Sequence, residues 1–323
     1  MLVYTAADFE DFLEPRPDLP ATMEAELSEV VSLLAVNRWP FRLHATYDES
    51  ITRFLNIIEA VHRETPLTGL NWFLDHCETI SDKNLERVRA LGGGIAIQHR
   101  MAYQGEYFMQ RYGKDAAKRT PPVRKMLELG IPVGAGTDAT RVASYNPWVS
   151  LYWLTTGRTV GGTPMCHDKH CLEREEALRL YTQGSSWFSN EAGKKGAIAA
   201  GQLADFVALS EDYFSVPEES IMGIESVLTI VGGKIVHATD EFAPNAPPPI
   251  PVLPEWSPVK VFGGYGAPLD PRKAARAGVP AHQHGADCHQ GCSHSMHQLL
   301  HGIEIARNPF AGFFGLGCDC FAF

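Results

Sequence analysis

The chain has 323 residues, of which 45% are apolar and 20% charged, a balance typical of one large globular domain or two smaller ones. Its formal net charge of −10 argues against nucleic acid or an acidic membrane surface as the main partner. No apolar run approaches the roughly 20 residues that span a bilayer, and the acidic start lacks a signal-peptide pattern. Seven cysteines without a regular spacing indicate a reducing, cytoplasmic compartment.

Strands and helices alternate over the first half of the chain. Residues 1–20 contain three prolines and predict an irregular lead-in, and residues 21–37 carry an apolar stripe typical of a helix. Four strands are predicted, each followed by a helical pattern or a turn signal, at residues 41–45, 71–77 and 95–98 and in the apolar run that begins at Ile131. This alternation predicts a parallel sheet with right-handed crossovers.

Only four such units can be counted, whereas a closed (β/α)₈ barrel needs eight in roughly 250 residues. Four units leave open sheet edges, which a stable protein has to cover or pair. We therefore expect the carboxyl-terminal half of a (β/α)₈ TIM-like barrel. Its edges would be covered by a second copy of the chain or by an amino-terminal half that is missing here.

The pattern changes after residue 195. Residues 172–182 predict a strong amphipathic helix, and residues 226–238 predict a β-hairpin around Gly232 and Gly233. From residue 241 the composition becomes proline-rich and then rich in histidine and cysteine. We predict a partial barrel over 1–195, strands of a small β-sandwich over 196–240, and a connector with an irregular tail over 241–323.

Residues able to bind a metal follow three of the predicted strands. His44 and His76 each end one strand, and Asp138 ends the run that begins at Ile131. Carboxyl ends of parallel strands are where α/β barrels keep their chemistry, and a carboxylate there needs a metal or another partner. The alternatives are ordinary core histidines and an aspartate that caps a helix or turn. His99 and Arg141 lie just past strand ends and are candidates for substrate binding, although a surface salt bridge explains Arg141 equally well.

Two further clusters of cysteine and histidine remain open to two interpretations each. In the loop that contains Cys166, His167, His170 and Cys171, chance clustering of polar residues competes with a binding role. In the tail, disorder competes with incidental or regulatory metal binding. The tail residues concerned are His282, His284, Cys288, His289, Cys292, His294, His297 and His301.

The order of the three strand-end residues resembles the amidohydrolase superfamily of metal-dependent hydrolases. The stretch EEALRLYT…KKGAIAAGQLADFVALS, followed by TIVGGKIVHA, is similar to the superfamily's closing segment. The motifs HATYDESI and GTDAT resemble most the YtcJ-like branch, amidohydrolase family 3, whose members include N-substituted formamide deformylases. The resemblance covers roughly residues 20–240.

The resemblance implies a distorted barrel with metal at the carboxyl ends of its strands. His44 and His76 would be the ligands of the fifth and sixth strands, and Asp138 would be the eighth-strand ligand and the general base. The family's first-strand His-x-His pair and a fourth-strand Lys or Glu have no counterpart in these 323 residues. We therefore expect negligible turnover by this polypeptide alone.

Imidazole and carboxylate donors together suit Zn²⁺ or a similar divalent ion. The resulting hypothesis is a metal-dependent hydrolase that cleaves non-peptide C–N bonds of small amides or formamides. The alternative is a non-catalytic relic or metal-binding module that uses only the tail.

Overall fold

This computed structural model describes residues 2–3, 18–139, 143–166 and 168–248. Arg141, His167 and the whole histidine- and cysteine-rich tail lie outside the described residues. Within the described part, no helix has both the length and the apolar character needed to cross a membrane. The unit described below is Met1–Pro247.

A five-stranded sheet organises the first part of the chain, and all its neighbouring strands pair in parallel in sequence order. Its strands are β1 (Leu2–Val3), β2 (Phe41–Ala45), β3 (Trp72–His76), β4 (Gly94–Gln98) and β5 (Val133–Gly136). The α/β class with a parallel sheet and the four predicted strands are confirmed. The prediction of an irregular lead-in over residues 1–20 is wrong at its start, because Leu2 and Val3 form a short strand that pairs in parallel with Arg42 and Leu43.

Helices connect the strands and begin where the sequence supplies capping residues. Ser81 accepts a hydrogen bond from the backbone N–H of Asn84 and caps the helix after β3, and Asn146 caps the helix after β5 in the same way. The helix directly after β4 is absent from the prediction, since no strong cap precedes it. The helices are α1 (Met23–Val36), α2 (Asp48–Glu64), α3 (Asp82–Ala90), α4 (Met101–Tyr112), α5 (Lys114–Ala117), α6 (Val123–Glu128) and α7 (Pro147–Thr156).

The predicted helix over 172–182 is interrupted. Helix α8 (Arg174–Arg179) widens into a π-helical turn over Leu180–Gly184, and α9 (Ser185–Phe188) follows. A Cβ on Gly184 would lie 2.3 Å from the carbonyl oxygen of Val133, so the helix touches β5 where only glycine fits. The hydroxyl of Ser185 donates to the carbonyl of Ala135 at 2.9 Å. Close packing on the sheet therefore overrides the regular helical pattern.

Aromatic rings fill the core beneath the amino ends of the strands. Trp72, at the start of β3, is fully buried, and a Cβ on Gly93 would lie 2.4 Å from its ring. Phe188 packs edge-on against Phe73, with ring centroids 4.6 Å apart. Trp187 lies 2.6 Å from where a Cβ on Gly94 would stand. The glycines at this end make room for the rings.

A second sheet has three antiparallel strands, β6 (Phe206–Leu209), β7 (Ser226–Val231) and β8 (Lys234–Ala238). The predicted hairpin between β7 and β8 is confirmed. Gly232 and Gly233 form its turn with φ of 56° and 76°, the left-handed region that glycine adopts most readily.

Candidate metal centre at the carboxyl edge of the parallel sheet

The register of the parallel sheet brings the predicted site residues to one edge. Ala45 pairs with His76, so the residue before it, His44, lies beside the end of β3. Gln98 pairs with Gly136, which places the ends of β4 and β5 together as well. All four strand ends therefore meet at the carboxyl edge, where parallel α/β proteins bind their ligands.

His44 and His76 form the closest pair at this edge. Nδ1 of His44 lies 2.8 Å from Nε2 of His76, and the two rings are inclined at 68° with centroids 4.4 Å apart. His76 is 8% exposed and His44 is half-buried. Burial, and then the neighbouring His44, lowers the pKa of His76 well below its usual value. His76 is consequently neutral, the state in which an imidazole binds a metal.

The backbone at two of the strand ends is in the left-handed region. The φ angles are 74° at His76, 54° at Cys77 and 52° at Asp138. Non-glycine residues in this region are uncommon and store conformational strain, which tends to concentrate at functional sites. The strain at this edge turns the chain sharply just where the candidate ligands lie.

Buried acidic residues lie beside the histidines. Asp75 is 4% exposed, and its carboxylate is 3.3 Å from Nε of Arg42. Burial raises the pKa of Asp75 to about 7, and Asp138 adds to the rise while Arg42 opposes it. Glu78 is 1% exposed. Residue patterns did not single out Asp75 or Glu78, although acids inside and just after an apolar strand are a signal that could have found them.

An aspartate after β2 joins the two segments that follow the histidine-bearing strands. The carboxylate of Asp48 accepts hydrogen bonds from the backbone N–H of Ser81 and from the side-chain amide of Asn84, both at 2.7 Å. The backbone N–H of Asp48 donates to the hydroxyl of Thr79 at 3.0 Å. These bonds tie the loop after β2 to the loop after β3 and thereby fix the separation between the two strand ends.

The two candidate substrate residues have different outcomes. His99 is fully buried, so in this conformation a substrate cannot reach its ring, and burial lowers its pKa to about 4. Arg141 lies outside the described residues. Arg100, next to His99, is 3% exposed, and its Nε donates to Gln104 at 2.6 Å.

The donors at this edge fit a borderline divalent ion, and two of the three predicted ligands are already together. A tetrahedral ion bound at about 2.0–2.1 Å to two imidazoles needs its two nitrogens about 3.3 Å apart. The separation of 2.8 Å between the histidines would therefore have to open by about half an ångström. Asp138 is exposed, and over the described residues no three His, Cys, Asp or Glu side chains are grouped closely enough to hold an ion. The ligand set of His44, His76 and Asp138 stays a prediction.

Comparison with known sequences identifies relatives. The family profile described as the amidohydrolase family matches residues 1–237. The chain is 26% identical over 233 residues to the amidohydrolase YtcJ of Bacillus subtilis (strain 168), which covers 69% of this chain and 43% of YtcJ. It is also 26% identical over 212 residues to the N-substituted formamide deformylase of Arthrobacter pascens, covering 64% of this chain and 38% of that protein. The chain thus spans less than half the length of these relatives.

Solved structures share the fold. A metal-dependent hydrolase from Pyrococcus horikoshii OT3, itself uncharacterized, superposes with a TM-score of 0.54 at 20% identity and covers 68% of this chain and 43% of its own. A similar hydrolase from Pyrococcus furiosus gives a TM-score of 0.52 at 22% identity, with coverage of 62% and 39%. Both matches leave more than half of the neighbour's chain without a counterpart here.

Proposed function

The chain belongs to amidohydrolase family 3, and from that membership we propose that it supplies half of a (β/α)₈ barrel in a metal-dependent hydrolase. The proposed reaction is hydrolysis of a non-peptide C–N bond in a small amide or formamide. The substrate class is suggested by the formamide deformylase relative. The observation that carries the proposal is the contact between two imidazole nitrogens, 2.8 Å apart, at the carboxyl edge of the parallel sheet.

In this proposal His44 and His76 bind a divalent ion, preferably zinc, together with Asp138. When bound, such an ion polarises a carbonyl and makes a water acidic enough to ionise near neutral pH. His44 would bind through Nδ1 and His76 through Nε2, because these two atoms face each other. Burial keeps His76 unprotonated and available as a ligand.

Asp138 is proposed as the general base. Its carboxylate takes a proton from the attacking water and later gives it to the leaving nitrogen. Its exposed position at the strand end leaves it accessible to both. Arg141, three residues further on, and His99 remain proposed substrate-binding residues, and His99 would first have to become accessible.

Metal binding by the 323-residue chain tests the site without requiring turnover. Cobalt(II) and zinc are titrated into metal-free protein, and the visible absorption of cobalt reports its ligands. We expect His44→Ala and His76→Ala each to lower the affinity for one metal ion. The loss should exceed the about 10–100-fold that is typical when a residue that only hydrogen-bonds to a ligand is removed. His237→Ala is the matched control, since His237 is exposed on β8 and its Nε2 donates to the backbone carbonyl of Ser226 at 3.1 Å.

Tail binding can be recognised in the same titration. Thiolate ligands give intense charge-transfer bands with cobalt that imidazole and carboxylate ligands do not give. Unchanged affinity in both histidine variants, with thiolate bands only, would refute the strand-end site.

Turnover is tested in a fusion of this chain to the part of YtcJ that the alignment does not cover. We expect hydrolysis of N-substituted formamides, lost in Asp138→Asn because the variant lacks both a ligand and the base. Equal turnover with and without the carboxylate would contradict the role of Asp138.

A further inference from the structure

Two cysteines in the segment between α7 and α8 lie close to the same glycine, Gly157. Cys166 and Cys171 are both reduced and partly exposed. They are separated by four residues, in a segment that contains a short 3₁₀ turn at Asp168–His170. The sequence alone left open whether the cysteines and histidines of this loop cluster by chance or have a binding role.

Both cysteine side chains lie close to Gly157, which has no side chain of its own. The position that a Cβ would take on Gly157 lies 2.6 Å from Cβ of Cys166 and 3.0 Å from Sγ of Cys171. Both cysteines therefore border one point, which a side chain at residue 157 would occupy. Gly157 also ends α7 with φ of 63°, a conformation that favours glycine. Both the turn and the nearby cysteine side chains therefore favour glycine at this position.

A small cavity of about 20 Å³ opens between the same residues, roughly the size of one water molecule. Cys166, His170 and Cys171 line it together with Trp153 and Met165. The thiol of Cys166 donates to the carbonyl of Lys118 at 3.1 Å. Both cysteines are partly exposed, and both border this space.

We propose that Cys166 and Cys171 are a dithiol that is reversibly oxidised to an intramolecular disulfide by a low-molecular-weight disulfide such as oxidised glutathione. One cysteine thiolate attacks glutathione disulfide and breaks its S–S bond, which forms a mixed disulfide between the protein and one glutathione and releases the other glutathione as the thiol. The second thiolate displaces the remaining glutathione and forms the Cys166–Cys171 bond. Two protein thiols lose two electrons and two protons, which the oxidant accepts as two thiols.

The loop connects this dithiol to the segment that follows β4. The backbone N–H of Val160 donates to the carbonyl of Ala102 at 2.8 Å, in the first turn of α4. The sulfur of Met165 lies 2.0 Å from where a Cβ on Gly105 would stand, so the residue before Cys166 packs directly on α4. A disulfide would fix this loop against the helix that starts two residues after His99.

The test uses purified 323-residue protein equilibrated in glutathione buffers of increasing oxidised fraction. Free thiols are then blocked with a maleimide, and tryptic peptides are identified by mass spectrometry. Trypsin cuts after Lys169, so Cys166 falls in peptide 159–169 and Cys171 in peptide 170–174. We expect the two peptides to appear covalently linked, and the linked form to exceed glutathione adducts of either cysteine.

Variants separate the proposed pair from other cysteines. Cys171→Ser should leave Cys166 as a glutathione adduct, and Cys166→Ser should do the same for Cys171. Buried Cys77 is the internal control and should be alkylated only after denaturation at every buffer composition. Gly157→Ala, checked for folding by circular dichroism, should reduce the linked form because its methyl group occupies the space between the two side chains.

Linkage of peptide 159–169 to any peptide other than 170–174 in the wild-type protein would overturn the proposal. So would glutathione adducts on both cysteines without a linked pair.

Discussion

The two ends of strand β3 differ completely in chemistry, although only three residues lie between Trp72 and His76. Trp72 at the amino end is fully buried among rings and glycines, and its indole N–H donates to the carbonyl of Leu91 at 3.3 Å. His76 at the carboxyl end is buried beside another imidazole, with a strained backbone and an acidic neighbour. The amino end is built for packing, and the carboxyl end holds polar groups at a cost in stability that packing elsewhere offsets.

Trp72→Ala should have the largest effect of the changes considered, and at the packing end only. Removing a fully buried indole leaves a cavity and costs about 3–5 kcal/mol in the free energy of unfolding. Urea denaturation of the variant and the wild type measures this loss. Cobalt affinity per folded molecule should stay unchanged; a parallel fall in affinity at full folding would show that the two ends are not independent.

The sequence predicts the packing of the sheet better than the geometry of its site. Strand β3 and helix α3 follow from an apolar run and from the cap at Ser81, because these signals are local. The pairing of His44 with His76 follows from the rule that parallel strands end at the same edge. Local sequence patterns therefore suffice to predict the elements of the sheet and the residues that its neighbouring strands bring together.

Long-range contacts decide the rest. The π-helical turn at Leu180–Gly184 arises from contact with β5, about 50 residues earlier in the chain. Full burial of His99 depends on packing from several elements that no spacing rule foresees. The approach of both Cys166 and Cys171 to Gly157, nine residues before the first of them, is not visible in the spacing of the cysteines.

Acid titration of His99 should distinguish the polar end of the sheet from the packing end. Burial lowers the folded-state pKa to about 4, below the usual 6.5, so the unfolded chain binds the proton first. The contribution of His99 to stability is then fully present above pH 6.5 and is lost as the pH falls toward 4. The loss is on the order of 3 kcal/mol, as a shift of this size implies.

The comparison uses His99→Gln, which cannot titrate, and follows the free energy of unfolding by urea from pH 7 to pH 4. We expect the difference in the free energy of unfolding between wild type and variant to shrink with acidification. All other titrating groups are the same in both proteins, so their effects cancel in this difference. His237→Gln provides the control for a histidine-to-glutamine change at an exposed position. A constant difference for His99→Gln across this range would contradict the assigned burial.

Asp48→Ala should weaken the polar end through its brace, with a smaller effect than either change above. The variant removes the acceptor for Ser81 and Asn84, and the loss of these two hydrogen bonds costs about 1–3 kcal/mol. Because the brace sets the spacing of the strand ends, cobalt affinity should also fall, by about 10–100-fold. Glu49→Ala, which removes the same charge from the same first turn of α2, is the control and should change neither quantity as much.

Ser81→Ala should have the smallest effect, and it separates helix capping from the brace. Alanine removes the hydroxyl that accepts from Asn84 and caps α3, which costs about 1 kcal/mol. The backbone N–H of residue 81 survives the substitution and still donates to Asp48. Urea denaturation should therefore show the modest loss while cobalt titration shows wild-type affinity. A fall in affinity as large as that of Asp48→Ala would mean that the cap of α3, rather than the carboxylate of Asp48, holds the two histidine-bearing strand ends at their separation.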